Sequence, residues 1–158
     1  AVIERDAAAP LFRFFEVAGG GELTLESLTL RNGKTSFWGG GAIVNNSSVY
    51  GLKSSTVGHM PYAVSKHGVI ALTKTAAHEY ANKGIRVNAV CPGWTHSEVV
   101  DAALEAYPAV NALIAEQVPM QRVADSVEIA RVVLWLCSDE ASYITGQAIA
   151  PDGGWLAK

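Results

Sequence analysis

Residues 39–51 read GGGAIVNNSSVYG, and the fold depends on which neighbouring text claims them. The glycines at 39 to 41 mark a turn, the natural close of a β-rich segment. Ala42 to Val44 is a short apolar run of the kind that forms a parallel strand buried on both faces. Such a strand carries Ser47 and Ser48 to its C-terminal end, where open α/β sheets place their ligand crevice.

Downstream the text alternates strands and helices. Pro61 suits the first turn of a helix, where its missing N–H costs nothing, and Gly84 suits a left-handed stop, which predicts a helix from Tyr62 to about Asn82. The run GIRVNAV (84–90) predicts the next buried strand, ended by Pro92-Gly93. Asp125 and Glu128, three apart before an apolar run to Cys137, form a capping-box arrangement, and a last short strand is expected near Gln147 to Ala150. Strand, helix, strand, helix, strand is the pattern of a parallel sheet covered by helices.

Upstream the pattern differs. Leu23, Leu25, Leu28 and Leu30 alternate with threonines and charges between glycine clusters, which predicts short strands. This segment resembles one or two coils of a right-handed parallel β-helix, with an ordinary hairpin as the equally weighted alternative; stacked coils need about three repeats to be stable. The expected division is therefore a β-rich segment of foreign character over residues 1–42 and an α/β part over 43–158, with a chimeric join in the phrase Gly41 to Asn46.

The totals narrow the function classes. A chain of 158 residues fits one domain of roughly 100–200. Hydrophobic residues at 49% against 17% charged favour a sizeable core. A net charge of −3 gives no basic footprint, so neither nucleic acid nor an anionic membrane is expected as a partner. Cys91 and Cys137 lie far apart in apolar text and read as buried reduced thiols, and His59, His67, His78 and His96 lack metal-ligand spacing. No signal-peptide pattern or membrane-length apolar run is present, so a cytoplasmic location is expected; the start at Ala1 in place of Met points to processing or a partial reading frame.

Chemistry concentrates around Tyr62 and Lys66. Four apart, they share one helix face. A phenol with a pKa near 10 is a poor proton carrier at neutral pH unless a cation stabilises its phenolate, and Lys66 is such a cation. Ser48, at the strand end, can hold a carbonyl oxygen. Alone, that spacing is weak; the succession IVNNSSVYG, YAVSK, GIRVNAVCPGW and YITGQAIAPDGGW is specific.

Over about residues 43–155 the chain resembles the short-chain dehydrogenase/reductase family. The resemblance implies a Rossmann-like fold and an NAD(P)-dependent oxidoreductase acting on a small carbonyl or alcohol. It implies Ser48 as the substrate-orienting serine, with Ser47 open as a substitute because the gap to Tyr62 is one residue longer than expected. Tyr62 would be the general acid/base and Lys66 would lower its pKa and hold the nicotinamide ribose. Pro92 and Gly93 would lie beside the nicotinamide, Thr95 on its carboxamide, and Ser97 where the family often has threonine.

Residues 98–120 would form the substrate-covering segment, with Leu104, Tyr107, Val110 and Leu113 lining a pocket or, by helical spacing alone, plain core. Trp94 and Trp155 read either as cover for the active-site mouth or as ordinary packing. The family's helix starting at Tyr62 commonly packs on a partner copy, which implies a homo-oligomer. A phosphate-binding strand, glycine turn and helix has no counterpart before residue 43, so the Rossmann-like sheet is expected to be incomplete, with its cofactor-binding half missing. Two other readings follow: a catalytically inactive remnant, and a β-helix-type binding or structural module.

Overall fold

A computed structural model of the chain describes residues 41–55 and 58–157. The expected strands and β-helix coils before residue 41, and nearly all of the expected 1–42 segment, lie outside the described residues.

The described part is α/β. Three parallel strands, β1 (Ala42–Asn46), β2 (Arg86–Val90) and β3 (Ala148–Ile149), lie in the order β1-β2-β3. Ala42 pairs with Arg86 and Asn46 with Val90; Ala89 pairs with Ala148. All five residues of β2 are buried, as a central strand covered on both faces requires.

One face is covered by α1 (Met60–Tyr80), whose buried residues Val69, Ile70, Thr73, Ala76 and Ala77 recur at helical spacing. Ala76 and Ala77 pack on Val87, while Ile70 packs on Ala89 and Cys91. The other face is covered by α4 (Ser126–Cys137), where Val133, Leu136 and Cys137 meet Ala42, Val44 and Val90. Leu136 is fully buried, which stabilises by roughly 1.5–3 kcal/mol for such a side chain.

The local signals act as expected, with small corrections at helix ends. Helix α1 starts at Met60, two residues before the expected Tyr62, and has no side-chain cap from His59. It ends at Tyr80 and tightens into a 3-10 turn, Ala81–Lys83, closed by Gly84 at φ 73°. Asp125 and Glu128 form both halves of the capping box. Arg122 also grips Glu128 through two bonds of 2.7 and 2.8 Å, and with the Asp125 N–H it holds that carboxyl down to about 2.

Between β2 and α4 lie α2 (Glu98–Ala106) and α3 (Ala109–Gln117). Helix α2 has no buried residue, and Ile114 is the buried one of α3. The plain-core alternative for Leu104, Tyr107, Val110 and Leu113 fails: none of the four is buried, and Tyr107 is 67% exposed. The core side of this segment is instead Ile114 and Val118. Among the described residues neither cysteine forms a disulfide, and burial pushes both thiols up. Among the described residues, no helix is long and apolar enough to cross a membrane.

Candidate active site

The C-terminal ends of β1 and β2 and the first turns of α1 converge. The chain leaves β1 through Ser47 and Ser48 and bends into a 3-10 turn, Val49–Gly51. Two bonds pin this exit to the neighbouring strand end: Ser47 N–H to Val90 O at 2.8 Å and Val49 N–H to Pro92 O at 3.1 Å. The Ser48 hydroxyl accepts from Tyr50 N–H at 3.2 Å and so caps the turn, and among the described residues no acceptor takes its proton. The Ser47 hydroxyl donates inward to the Lys66 carbonyl at 2.9 Å. The two serines left open by the sequence therefore differ in what their protons do.

Lys66 and Tyr62 sit one turn apart on α1, with the Lys66 ammonium 5.5 Å from the Tyr62 ring centroid. The same ammonium donates to Asn46 O at 3.3 Å, two residues before Ser48. Tyr62 is 46% exposed and so is only partly covered by its neighbours. Tyr50 links the two sides: its N–H holds Ser48, while its ring meets Tyr62 edge-on at 6.4 Å.

That ring also meets Trp155 at 5.5 Å, and Trp155 stacks on Trp94 at 6.2 Å. Lys53 lies over the Trp155 ring at 5.1 Å. The tryptophans thus form a packed aromatic strip running from Tyr50 to the cleft lined by Trp94, Met120, Ile129 and Pro151. The sequence singled out Trp94 and Trp155 but missed Tyr50, whose only signal was its place two residues after Ser48.

The other expected residues follow β2. Gly93 donates to Pro151 O at 3.2 Å, and a Cβ on it would fall 2.9 Å from Asp152 Cα, so this glycine is needed for the close approach of 151–152. Thr95 donates its hydroxyl proton to Gly93 O at 3.1 Å, leaving its oxygen as an acceptor. Ser97 caps α2 by accepting from Val100 N–H at 3.3 Å. His96 and Asp101 pair at 2.6 Å on the exposed surface nearby. Ser48, Tyr62, Lys66 and Pro92 are thereby brought together around the ends of β1 and β2, while Ser97 stands further along, at the start of α2.

Two buried polar atoms on this rim have no partner among the described residues: Asn46 Oδ1 and Trp94 Nε1. Buried polar groups are normally paired, so a rim with such gaps fits a bound polar group. Tyr62, Lys66 and Thr95 offer the donors and acceptors that a ribose and a carboxamide need.

Comparisons with known proteins give the arrangement its relatives. A family model described as enoyl-(acyl carrier protein) reductase matches residues 27–156. The A-factor type gamma-butyrolactone 1'-reductase (1S-forming) of Streptomyces virginiae is 47% identical over 116 residues, 73% of this chain and 45% of that protein. The short-chain dehydrogenase fogB of Aspergillus ruber is 44% identical over 114 residues, 72% of this chain and 41% of that protein. A solved structure of ElxO with NADP bound matches with a TM-score of 0.69 at 36% identity, over 75% of this chain and 47% of that one. The chain thus spans a little under half the length of the relatives it matches. The family match begins inside the segment expected to be foreign, and nothing in the comparisons supports a chimeric join.

Proposed function

The chain belongs to the short-chain dehydrogenase/reductase family, and on that premise we propose that it carries the catalytic portion of an NAD(P)-dependent oxidoreductase for a small carbonyl or alcohol. The observation that carries the reading is the placement of the Lys66 ammonium between the Tyr62 ring and the backbone just ahead of Ser48.

The nicotinamide, when bound, supplies or accepts the hydride. The work of this chain is at the substrate oxygen. Ser48 gives its uncommitted hydroxyl proton to that oxygen as a hydrogen bond and orients it. Tyr62 delivers or removes the oxygen's proton as general acid or base, a role worth typically a hundred- to ten-thousand-fold in rate. Lys66 supports the phenolate electrostatically and would hold the nicotinamide ribose. Pro92 and Gly93 would bring the backbone beside the ring, Thr95 would bind the carboxamide, and Ser97 would stand near it at the start of α2.

Self-association through α1 belongs to the same proposal. Met60 is 75% and Val64 66% exposed at the helix start, and an apolar surface of that kind fits burial against a second copy. A cytoplasmic location accompanies this reading. An inactive remnant is the competing reading. The β-helix-type module draws no support, since the family match runs through residues 27–156.

Titration of the purified chain with NADH and NADPH, followed by nicotinamide fluorescence with Lys66→Ala alongside, tests the reading. Saturable binding that the variant loses supports it. A folded chain that binds neither cofactor sinks it in favour of the remnant.

A further inference from the structure

We propose that Ser47 is a positioning residue: its hydroxyl fixes the axial position of α1 against β1 and so sets Tyr62 and Lys66 relative to Ser48. The proposal rests on the catalytic reading of those three residues given above.

Asn45 on β1 and Ser47, one residue past its end, both face α1. Each ends in a polar contact with the helix, buried for Asn45 and part-buried for Ser47. Asn45 Nδ2 donates to Thr73 Oγ1 at 2.9 Å, and Thr73 Oγ1 donates to Val69 O at 2.7 Å. Ser47 Oγ donates to Lys66 O at 2.9 Å. The apolar side chains in this interface mix small and large: Ala76, Ala77 and Ala89 lie beside Ile70, Val87 and Ile43. Apolar contact is non-directional, whereas a hydrogen bond tolerates only a few tenths of an ångström; a slip of one helix residue is about 1.5 Å.

Three chain segments meet at the Ser47 hydroxyl. A Cβ on Gly51 would lie 2.5 Å from Ser47 Oγ, 2.7 Å from Lys66 O and 2.9 Å from Ile70 Cδ1. The turn that leaves Ser48 therefore rests directly on the helix turn that carries Lys66, with the serine hydroxyl between them. Cys91, fully buried one residue past β2, also meets the Ser47 hydroxyl with its thiol. Ser47 is itself 4% exposed and its proton is committed to Lys66 O, so it acts on the site through the helix and not on the substrate.

The position of the bond also predicts what its loss does. Lys66 lies inside α1, so its carbonyl keeps a helical partner at the amide four residues on when the serine bond is removed. Ser47→Ala leaves no stranded acceptor on the helix, which makes it mild for stability and specific for placement.

The test is Ser47→Ala in the full chain, read by NMR at the Tyr62 ring and the Lys66 ε-ammonium. Val133 and Leu136, both on α4, serve as internal references, and steady-state kinetics accompany the spectra. Expected are shifted Tyr62 and Lys66 signals with both references unmoved, and kcat down by about tenfold or more with KM held within about twofold, as a sub-ångström misplacement predicts. Unmoved Tyr62 and Lys66 signals overturn the proposal, as does a change spread equally over the references. If the alanine variant fails to fold, Ser47→Cys, which keeps a weaker donor, is read at the same four signals by the same criteria. A parent chain without turnover defeats the catalytic reading alone, because the spectra decide placement without substrate or cofactor.

Discussion

Two helical regions flank the site, and they are attached to the sheet on opposite terms. Helix α1 is tied to β1 by Asn45 to Thr73 and by Ser47 to Lys66 O, and it buries five residues. The segment holding α2 and α3 buries Ile114 and leaves Val99, Tyr107 and Leu113 exposed. The groups that would move a proton are held by buried polar contacts in several directions, and the groups that would meet the body of a substrate are held by few. Chemistry needs fixed distances, whereas recognition tolerates exchange of surface side chains, and rigid scaffolds with variable loops separate the two demands.

The sharpest way to break this contrast is Tyr62→Phe. It is expected to lower turnover by a hundred- to ten-thousand-fold while circular dichroism and the unfolding midpoint stay unchanged. Retained turnover would remove Tyr62 from the chemistry. Next comes Leu136→Ala, beneath the sheet on the α4 side, where a fully buried leucine is replaced; urea unfolding is expected to show a loss of about 2–5 kcal/mol. A smaller loss would mean that this core is looser than its burial indicates.

Gly51→Ala tests the tightly tied side directly. The added methyl meets Ser47 Oγ at 2.5 Å and the Lys66 backbone at 2.7 Å, and overpacking of this sort costs about 1–3 kcal/mol. Full stability in that variant would show that the turn and helix are not pressed together. Glu128 gives a pH test at the start of α4. Its folded pKa lies below its ordinary value, at about 2, chiefly through Arg122. Its contribution is therefore complete above the ordinary carboxylate range near 4.5 and disappears as pH falls through about 2. Glu128→Gln should lower the melting temperature at pH 7 and make no difference near pH 2; an equal effect at both would rule out the charge as the cause.

The smallest effect is predicted on the loosely tied side. Tyr107→Ala, at a position 67% exposed, should change stability by no more than about 0.5 kcal/mol. A loss several times larger in the chain alone would show that α2 and α3 are packed more firmly than they look, and would erase the contrast.

What could be read from the sequence follows from how local each signal is. Gly84 at φ 73° and the Asp125–Glu128 box act within a few residues, and both mark their boundaries correctly. The buried run of β2 and the helical spacing of Tyr62 and Lys66 are likewise carried by adjacent text. The start of α1 was misplaced by two residues because His59 supplies no capping bond to mark it. Roles that depend on distant partners were beyond reach. Ser47 reads as a second candidate for Ser48's place until the Lys66 carbonyl is seen 2.9 Å from its hydroxyl. Tyr50 gains meaning only once Tyr62 and Trp155 are found on either side of its ring. Gly93, expected beside a nicotinamide, gains a role the text does not show: it also makes room for Asp152, far along the chain.

The register of the sheet has a kinetic consequence. Ala42 pairs with Arg86, and Ala89 pairs with Ala148, so neither strand pairing joins near neighbours in the chain. Helices α1 and α4 can form from local contacts within about a microsecond, but each parallel pairing must first close a loop of several tens of residues. Contacts of this separation slow folding. During synthesis β1 and β2 can meet long before β3 emerges, and until it does the β2 edge that receives it, at Ala89 and Cys91, stands open to whatever strand is nearby.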